Sequence, residues 1–356
     1  MRNRLIGIGI LLVIVGATIL FRTTEPSPPA TTLHGYVGGE KTGFLDDDNV
    51  RSLLRKRFGL SLDYAKAGSI EMVTGKTEGM DFLWPSSQVA LELYKQAQGN
   101  SLVKGEVIFY SPIVLYSWDI VADALVRQGI CRVRDSVYYI TDFPALIRMV
   151  MSGTPWKSIG LDDLYGKMTI ISTDPNKSNS GNMFAGLLAD MLCGDVATTA
   201  SIDTVLPNLA KLFRNLGFLE HSSSDLFLQY LSMGVGAKPI IVGYESQIVE
   251  FSVQNAERWP SIRHKIRILY PEPTVWSAHP LIELKPGADQ LVKGLKDEDV
   301  QKLAWERHGF RTGLMGLQND PKLLQVVGIP ERITKVLPMP SPDVMQKIMT
   351  AISSPQ

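Results

Sequence analysis

The sequence predicts an α/β protein of two lobes carried behind an N-terminal transmembrane helix. Three observations point there. Short apolar runs of β-like character alternate with segments of helical periodicity, five of these strand-to-helix junctions carry small, hydroxylated or glycine-rich loops, and the chain opens on an uninterrupted apolar stretch. With 356 residues, 45% of them hydrophobic and 20% charged, the chain can bury two separate cores. Lys+Arg and Asp+Glu both number 36, so no global field draws it to nucleic acid or to an anionic membrane surface. No internal repeat is present.

Taking the elements in order, Arg2 and Arg4 precede an apolar run from Leu5 to Phe21. As a helix that run spans roughly 25 Å, close to the hydrocarbon thickness of a bilayer. Residues 1–24 therefore read as an uncleaved signal anchor in the cytoplasmic membrane. The two arginines favour a cytoplasmic N-terminus, with the soluble domain outside, in the periplasm or at the cell surface. A cleaved signal peptide, ending near Gly16 and Ala17, is the alternative. Residues 25–32 form a stiff proline-rich linker.

The first junction follows a strand at Leu33–Gly39, where GGEK precedes a helix capped by Asp46 to Asp48 and stopped by Gly59. At the second, a strand over Leu62–Ala65 runs into Gly68 and Ser69. Ser86 and Ser87 open the third helix, after MDFLWP. The fourth is STDPNKSNSG, whose helix begins near Ser180 or Gly181, and the fifth is PIIVGYES. Serine is a preferred N-cap, so each loop alone has a dull explanation. Five together are different: alternating strands and helices make a parallel sheet, and ligands bind beyond the carboxyl ends of its strands, where these loops fall.

Two longer runs, Val107–Ser117 and Ile266–Leu284, read as crossovers. Pro112 lies inside the first, which argues for an edge or a crossing and against a central strand. The leucine- and methionine-rich tail after Arg311 reads as short helices packed on the first lobe. Cys131 and Cys193 are equally consistent with a disulfide and with two buried thiols. The five histidines show no ligand spacing, so neither metal nor cofactor is expected.

In the order of these loops (GGEK, AGS, WPSS, SNSG, YES), with SPIVLYS after the third, TPWKSIGLDDLYGK before the fourth and AWERHGFR near the end, the chain resembles a type II periplasmic binding protein. The likeness is greatest to the substrate-binding subunits of molybdate and sulfate ABC transporters. It implies a two-lobed fold, with residues 33–112 in lobe 1, 113–269 in lobe 2, and 270–356 returning to lobe 1 and ending in C-terminal helices. It also implies a solute held between the lobes by Gly39, Glu40, Lys41, Gly68, Ser69, Ser86, Ser87, Ser178, Asn179, Ser180, Gly181, Tyr244, Glu245 and Ser246. Hydroxyls and backbone N–H groups at helix N-termini can hold an oxyanion without a countercharge. Glu40, Glu71 and Glu245 depart from that pattern: facing the cleft they favour a zwitterionic, cationic or donor-bearing solute, and turned to solvent they leave the oxyanion intact. Trp84, Tyr244 and Trp276 are core residues by default and stacking partners for an organic solute otherwise.

The implied function is a membrane-tethered solute-binding protein that presents a small-molecule or oxyanion solute to an ABC permease or another membrane complex. The alternative is an interaction or scaffold module that keeps the fold without a ligand. An enzyme is not expected, because the serines have no histidine close in sequence and G-x-S-x-G is absent.

Overall fold

The computed structural model describes residues 30–99, 103–216 and 219–353. The anchor expected over residues 1–24 lies outside them, and among the described residues no helix is long and apolar enough to cross a membrane. In chain order the first elements are β1 (Thr31–Val37), α1 (Thr42–Asp46), α2 (Asp48–Phe58), β2 (Leu60–Lys66), α3 (Ser69–Thr74), β3 (Phe82–Trp84), α4 (Gln88–Ala97) and β4 (Gly105–Trp118). Then come α5 (Asp119–Arg127), β5 (Cys131–Arg134), β6 (Val137–Ile140), α6 (Phe143–Ser152), α7 (Asn179–Cys193), α8 (Leu206–Asn215) and α9 (Ser223–Met233). The chain continues through β7 (Ile240–Tyr244), α10 (Glu245–Gln254), α11 (Trp259–Ile262), β8 (Ile266–Pro271), β9 (Thr274–Glu283), α12 (Ala288–Leu295) and α13 (Glu298–His308). It closes with β10 (Arg311–Thr312), β11 (Val336–Leu337) and α14 (Pro342–Ser353).

Local chemistry accounts for the boundaries. Asp47 caps α2 by accepting from the Asn49 N–H, three basic residues fill its last turn, and Gly59 ends it in the left-handed region at φ 63°. Strands β1, β2 and β3 run parallel, as the strand–helix alternation requires. β4 is the long element shared by two sheets. Its first part pairs antiparallel with β9, and from Ile113 onward it pairs with β7 and β8. Pro112 marks the changeover, so the crossover reading is right; the strand is nonetheless interior on both sides, and the proline sits where its ladder partners change.

Each half buries its own core. Phe44, Trp84, Phe109 and Phe310 meet in the first half, with the Phe109 and Phe310 rings stacked 5.1 Å apart. In the second, α7 is buried from Ser180 to Asp190 and packs among Ile113, Leu146, Leu209 and Val242.

The C-terminal tail departs from expectation. Val344, Met345 and Ile348 of α14 enter the core of the second half against α7 and α8, and Val326 and Ile329 join Trp259 there. Gly186 of α7 makes the room: a Cβ on it would lie 2.6 Å from Met339 Cε. Cys131, on β5, and Cys193, at the end of α7, are both free thiols. Burial pushes the Cys131 thiol up to about 12.

Candidate functional site

A cleft of about 600 Å³ opens between the loops that end β1 and β2 on one side and those that begin α7 and α9 on the other. Gly38 to Glu40 and Lys66 to Glu71 form the first wall; Pro175 to Asn179, Asn182 and His221 to Ser224 form the second. The two halves meet across the cleft. Asn179 Nδ2 donates to the Ser86 carbonyl of the first half at 2.7 Å and to the Tyr244 hydroxyl of its own half at 3.0 Å. Gly68 faces the Lys177 carbonyl, which would lie 3.2 Å from a Cβ at that position.

The first turns of α7 and α9 border the cleft. Ser178 precedes α7 without capping it, its hydroxyl lying 3.1 Å from Ser180 Oγ, which is itself 2.7 Å from Thr173 Oγ1. Helix heads of this kind carry N–H groups without intrahelical partners and a partial positive charge. Lys177 adds a formal charge, with its ammonium 2.9 Å from His221 Nε2.

Beneath the floor of the first wall lies a buried polar network. Glu40 Oε1 accepts from Lys41 Nζ and from the Ser86 hydroxyl. The Lys41 ammonium, fully buried, also donates to Ser86 Oγ at 2.7 Å and to His279 Nδ1 at 3.2 Å. His279 Nε2 lies 3.3 Å from Ser277 Oγ, which donates to the Ser86 carbonyl. Burial works against ionising Glu40, but the Lys41 charge, His279 and hydrogen bonds from Lys41 and Ser86 hold its carboxyl down to about 2. Burial, helped by the Lys41 charge, drops His279 to about 3, so its imidazole is neutral and accepts at Nδ1.

Six of the residues expected at the site line the cleft: Gly39, Glu40, Gly68, Ser69, Ser178 and Asn179. Lys41, Ser86 and Ser87 lie behind the first wall, and Ser180, Gly181 and Tyr244 behind the second, all buried. Gly181 is a packing glycine, since the Thr173 carbonyl would sit 2.3 Å from a Cβ on it. Ser246 is buried, its N–H 3.4 Å from Ser111 Oγ. Glu245 takes neither of the two fates its sequence offered. It is buried in a two-pronged ion pair, Oε1 accepting from Arg311 Nε at 2.6 Å and Oε2 from Arg311 Nη2 at 2.9 Å, with Tyr270 donating to Oε2 at 2.6 Å. Trp84 is core, its indole donating to the His279 carbonyl, and Trp276 packs edge-on to Tyr110.

The sequence reading missed His221 to Ser224, although HSSSD carries the same serine-before-helix signal as the other junctions; Ser222 accepts from the Asp225 N–H at 3.4 Å. It also missed Lys66 and Lys177, lysines next to loops chosen for their small residues.

No family model matches the chain, and no curated protein matches its sequence. Solved structures do match its fold. A Listeria monocytogenes protein provisionally named a spermidine/putrescine ABC transporter superposes with a TM-score of 0.57 at 12% identity, over 91% of this chain and 99% of its own. An extracellular solute-binding protein, also provisionally named, from Bordetella parapertussis gives 0.54 at 13% identity, covering 90% and 96%. The sulfate-binding protein SubI from Mycobacterium tuberculosis gives 0.52 at 14% identity, covering 89% and 96%. The fold is that of the type II periplasmic solute-binding proteins. In this binding-protein fold the cleft described above lies between the two halves that β4 connects.

Proposed function

We propose that the protein is an extracytoplasmic solute-binding protein, tethered by residues 1–24, whose two halves close on a small polar solute with an anionic group. The observation that carries this reading is Asn179, which lines the cleft from the head of α7 while holding the first half through the Ser86 carbonyl. A solute shifts a closing equilibrium only by its differential affinity for the closed form, so it must engage both walls. The head of α7, the head of α9 and Lys177 supply donors and positive potential on one wall, while Gly39, Gly68 and Ser69 line the other. The ligands named for two structural neighbours, sulfate and spermidine/putrescine, set the ends of the charge range to test. An ABC permease or another membrane complex is the partner that such a tethered module would serve.

The test is thermal unfolding of the full-length chain in detergent against sulfate, molybdate, phosphate, amino acids, sugars and polyamines. A bound solute at a hundredfold its Kd adds about 2.7 kcal/mol of stability. Stabilisation by an anionic class that weakens five- to tenfold in Asn179→Ala supports the reading. No stabilisation by any class leaves the scaffold alternative in its place.

A further inference from the structure

The two walls of the cleft differ in charge. The second wall, residues 175–179, 182 and 221–224, is lined by no carboxylate, with Asp174 Oδ2 3.9 Å from Lys177 Nζ and Asp225 in the first turn of α9 standing just outside it; it offers Lys177, the serine hydroxyls and the heads of α7 and α9. Both carboxylates of the cleft, Glu40 and Glu71, stand on the first wall.

Glu71 has one oxygen occupied, Oε2 accepting from the Gly68 N–H at 3.2 Å. Glu40 is held more firmly. Its side chain is 9% exposed, Oε1 is taken by Lys41 and Ser86, and Oε2 accepts no hydrogen bond from the described residues. The cation beside it cannot turn to a ligand. An ammonium has three N–H donors, and those of Lys41 are directed to Glu40, Ser86 and His279 in a fully buried pocket. The network thus shows the cleft one unfilled acceptor and no donor. A simple oxyanion on this wall would face a lone-pair oxygen of like charge, whereas an ammonium would fill it. Lys66 is the one cation of the first wall; it is exposed and its stem lies against Gly39.

Size permits an organic solute. A tetrahedral oxyanion occupies the volume of roughly two waters, at about 30 Å³ each. A cleft of about 600 Å³ is in the range of organic-ligand pockets.

We infer that the solute is an organic zwitterion, its anionic group at the heads of α7 and α9 beside Lys177 and its ammonium on Glu40 Oε2. This rests on the solute-binding reading above and narrows its ligand.

The test compares matched pairs that differ only in the ammonium, by titration calorimetry on the full-length chain in detergent: glycine with acetate, taurine with ethanesulfonate, and 2-aminoethylphosphonate with ethylphosphonate, alongside sulfate and phosphate. The expected result is at least one zwitterion bound ten times or more tighter than its ammonium-free partner, with Glu40→Gln reducing that preference below threefold. The comparison within each pair needs no variant, so it stands even if Glu40→Gln fails to fold. Pairs of equal affinity, or sulfate or phosphate binding tightest, overturn the zwitterion and leave solute binding standing. Absence of binding by every compound overturns both.

Discussion

Two glutamates at the heads of strand-to-helix junctions, Glu40 and Glu245, look alike in the sequence and do different things in the fold. Glu40 shares its charge with its chain neighbour Lys41, lines the cleft and keeps one oxygen without a hydrogen bond from the described residues. Glu245 gives both oxygens to Arg311, which also donates to the carbonyls of Pro330 and Glu331, and nothing of it is exposed. Glu245 belongs to α10 in the second half and Arg311 to β10, which pairs with the first part of β4. One pair therefore stands at the wall of the cleft, and the other fastens the two halves together with the C-terminal tail. The two pairs differ in their remaining valences: Glu40 has an oxygen without a hydrogen bond from the described residues, and Glu245 has both of its oxygens taken.

The largest effect is expected at the fastening pair. Arg311→Met strands a buried carboxylate and should cost about 3–5 kcal/mol in urea unfolding, while the double change Glu245→Leu/Arg311→Met recovers most of it. Lys41→Met should cost less, about 2–3 kcal/mol, because Glu40 can still reach water through the cleft, and it should abolish the stabilisation given by solute. Equal losses at the two sites would break the comparison.

Acid sharpens it further. Glu40 is held below its ordinary value of 4.5, at about 2, so its contribution is present above about 4.5 and is lost as pH falls toward 2. Glu40→Gln should remove roughly 2 kcal/mol of the loss seen between pH 4.5 and 2.5. The remainder includes Asp47, which burial disfavours as an anion but which Arg307, His308 and the Asn49 N–H also hold at about 2.

An effect of opposite sign is expected at a buried carboxylate with no cation partner among the described residues. Asp190 of α7 is 1% exposed, with Oδ1 accepting from the Ala197 N–H at 2.8 Å and Oδ2 without a partner among the described residues. Burial raises it to about 7, and Asp195 adds to the rise. A raised carboxyl favours the fold below the unfolded value near 4 and loses that advantage as pH climbs to about 7. Asp190→Asn should therefore gain up to about 4 kcal/mol over the parent at pH 8 and nothing at pH 4, measured by urea unfolding at both.

Much of the fold was legible because its signals are local. Asp47 and Gly59 bracket α2 as a cap and a stop, and each of the five junctions does join a strand or extended segment to a helix. The partners of the glutamates were not legible. Arg311 meets Glu245 across 66 residues and His279 meets Lys41 across 238, and no periodicity encodes such pairs. The same limit explains the site. Proximity to a helix head is readable, but which side of the loop faces the cleft depends on neighbours such as Thr173, which turns Ser180 inward while Ser178 and Asn179 stay at the wall. The tail was misplaced for a related reason. Its apolar spacing defines a face to bury, and the complement of that face, Gly186 on α7, lies far upstream.

The shared strand β4 has a further consequence for biogenesis. Residues 105–118 leave the ribosome early, yet the strands that flank them, β7, β8 and β9, span residues 240–283. Neither half can complete its sheet until nearly four-fifths of the chain has been made, so domain-by-domain maturation during synthesis is closed to this protein. A nascent chain of this topology would leave both sheets open, and hence pliable, for most of its elongation.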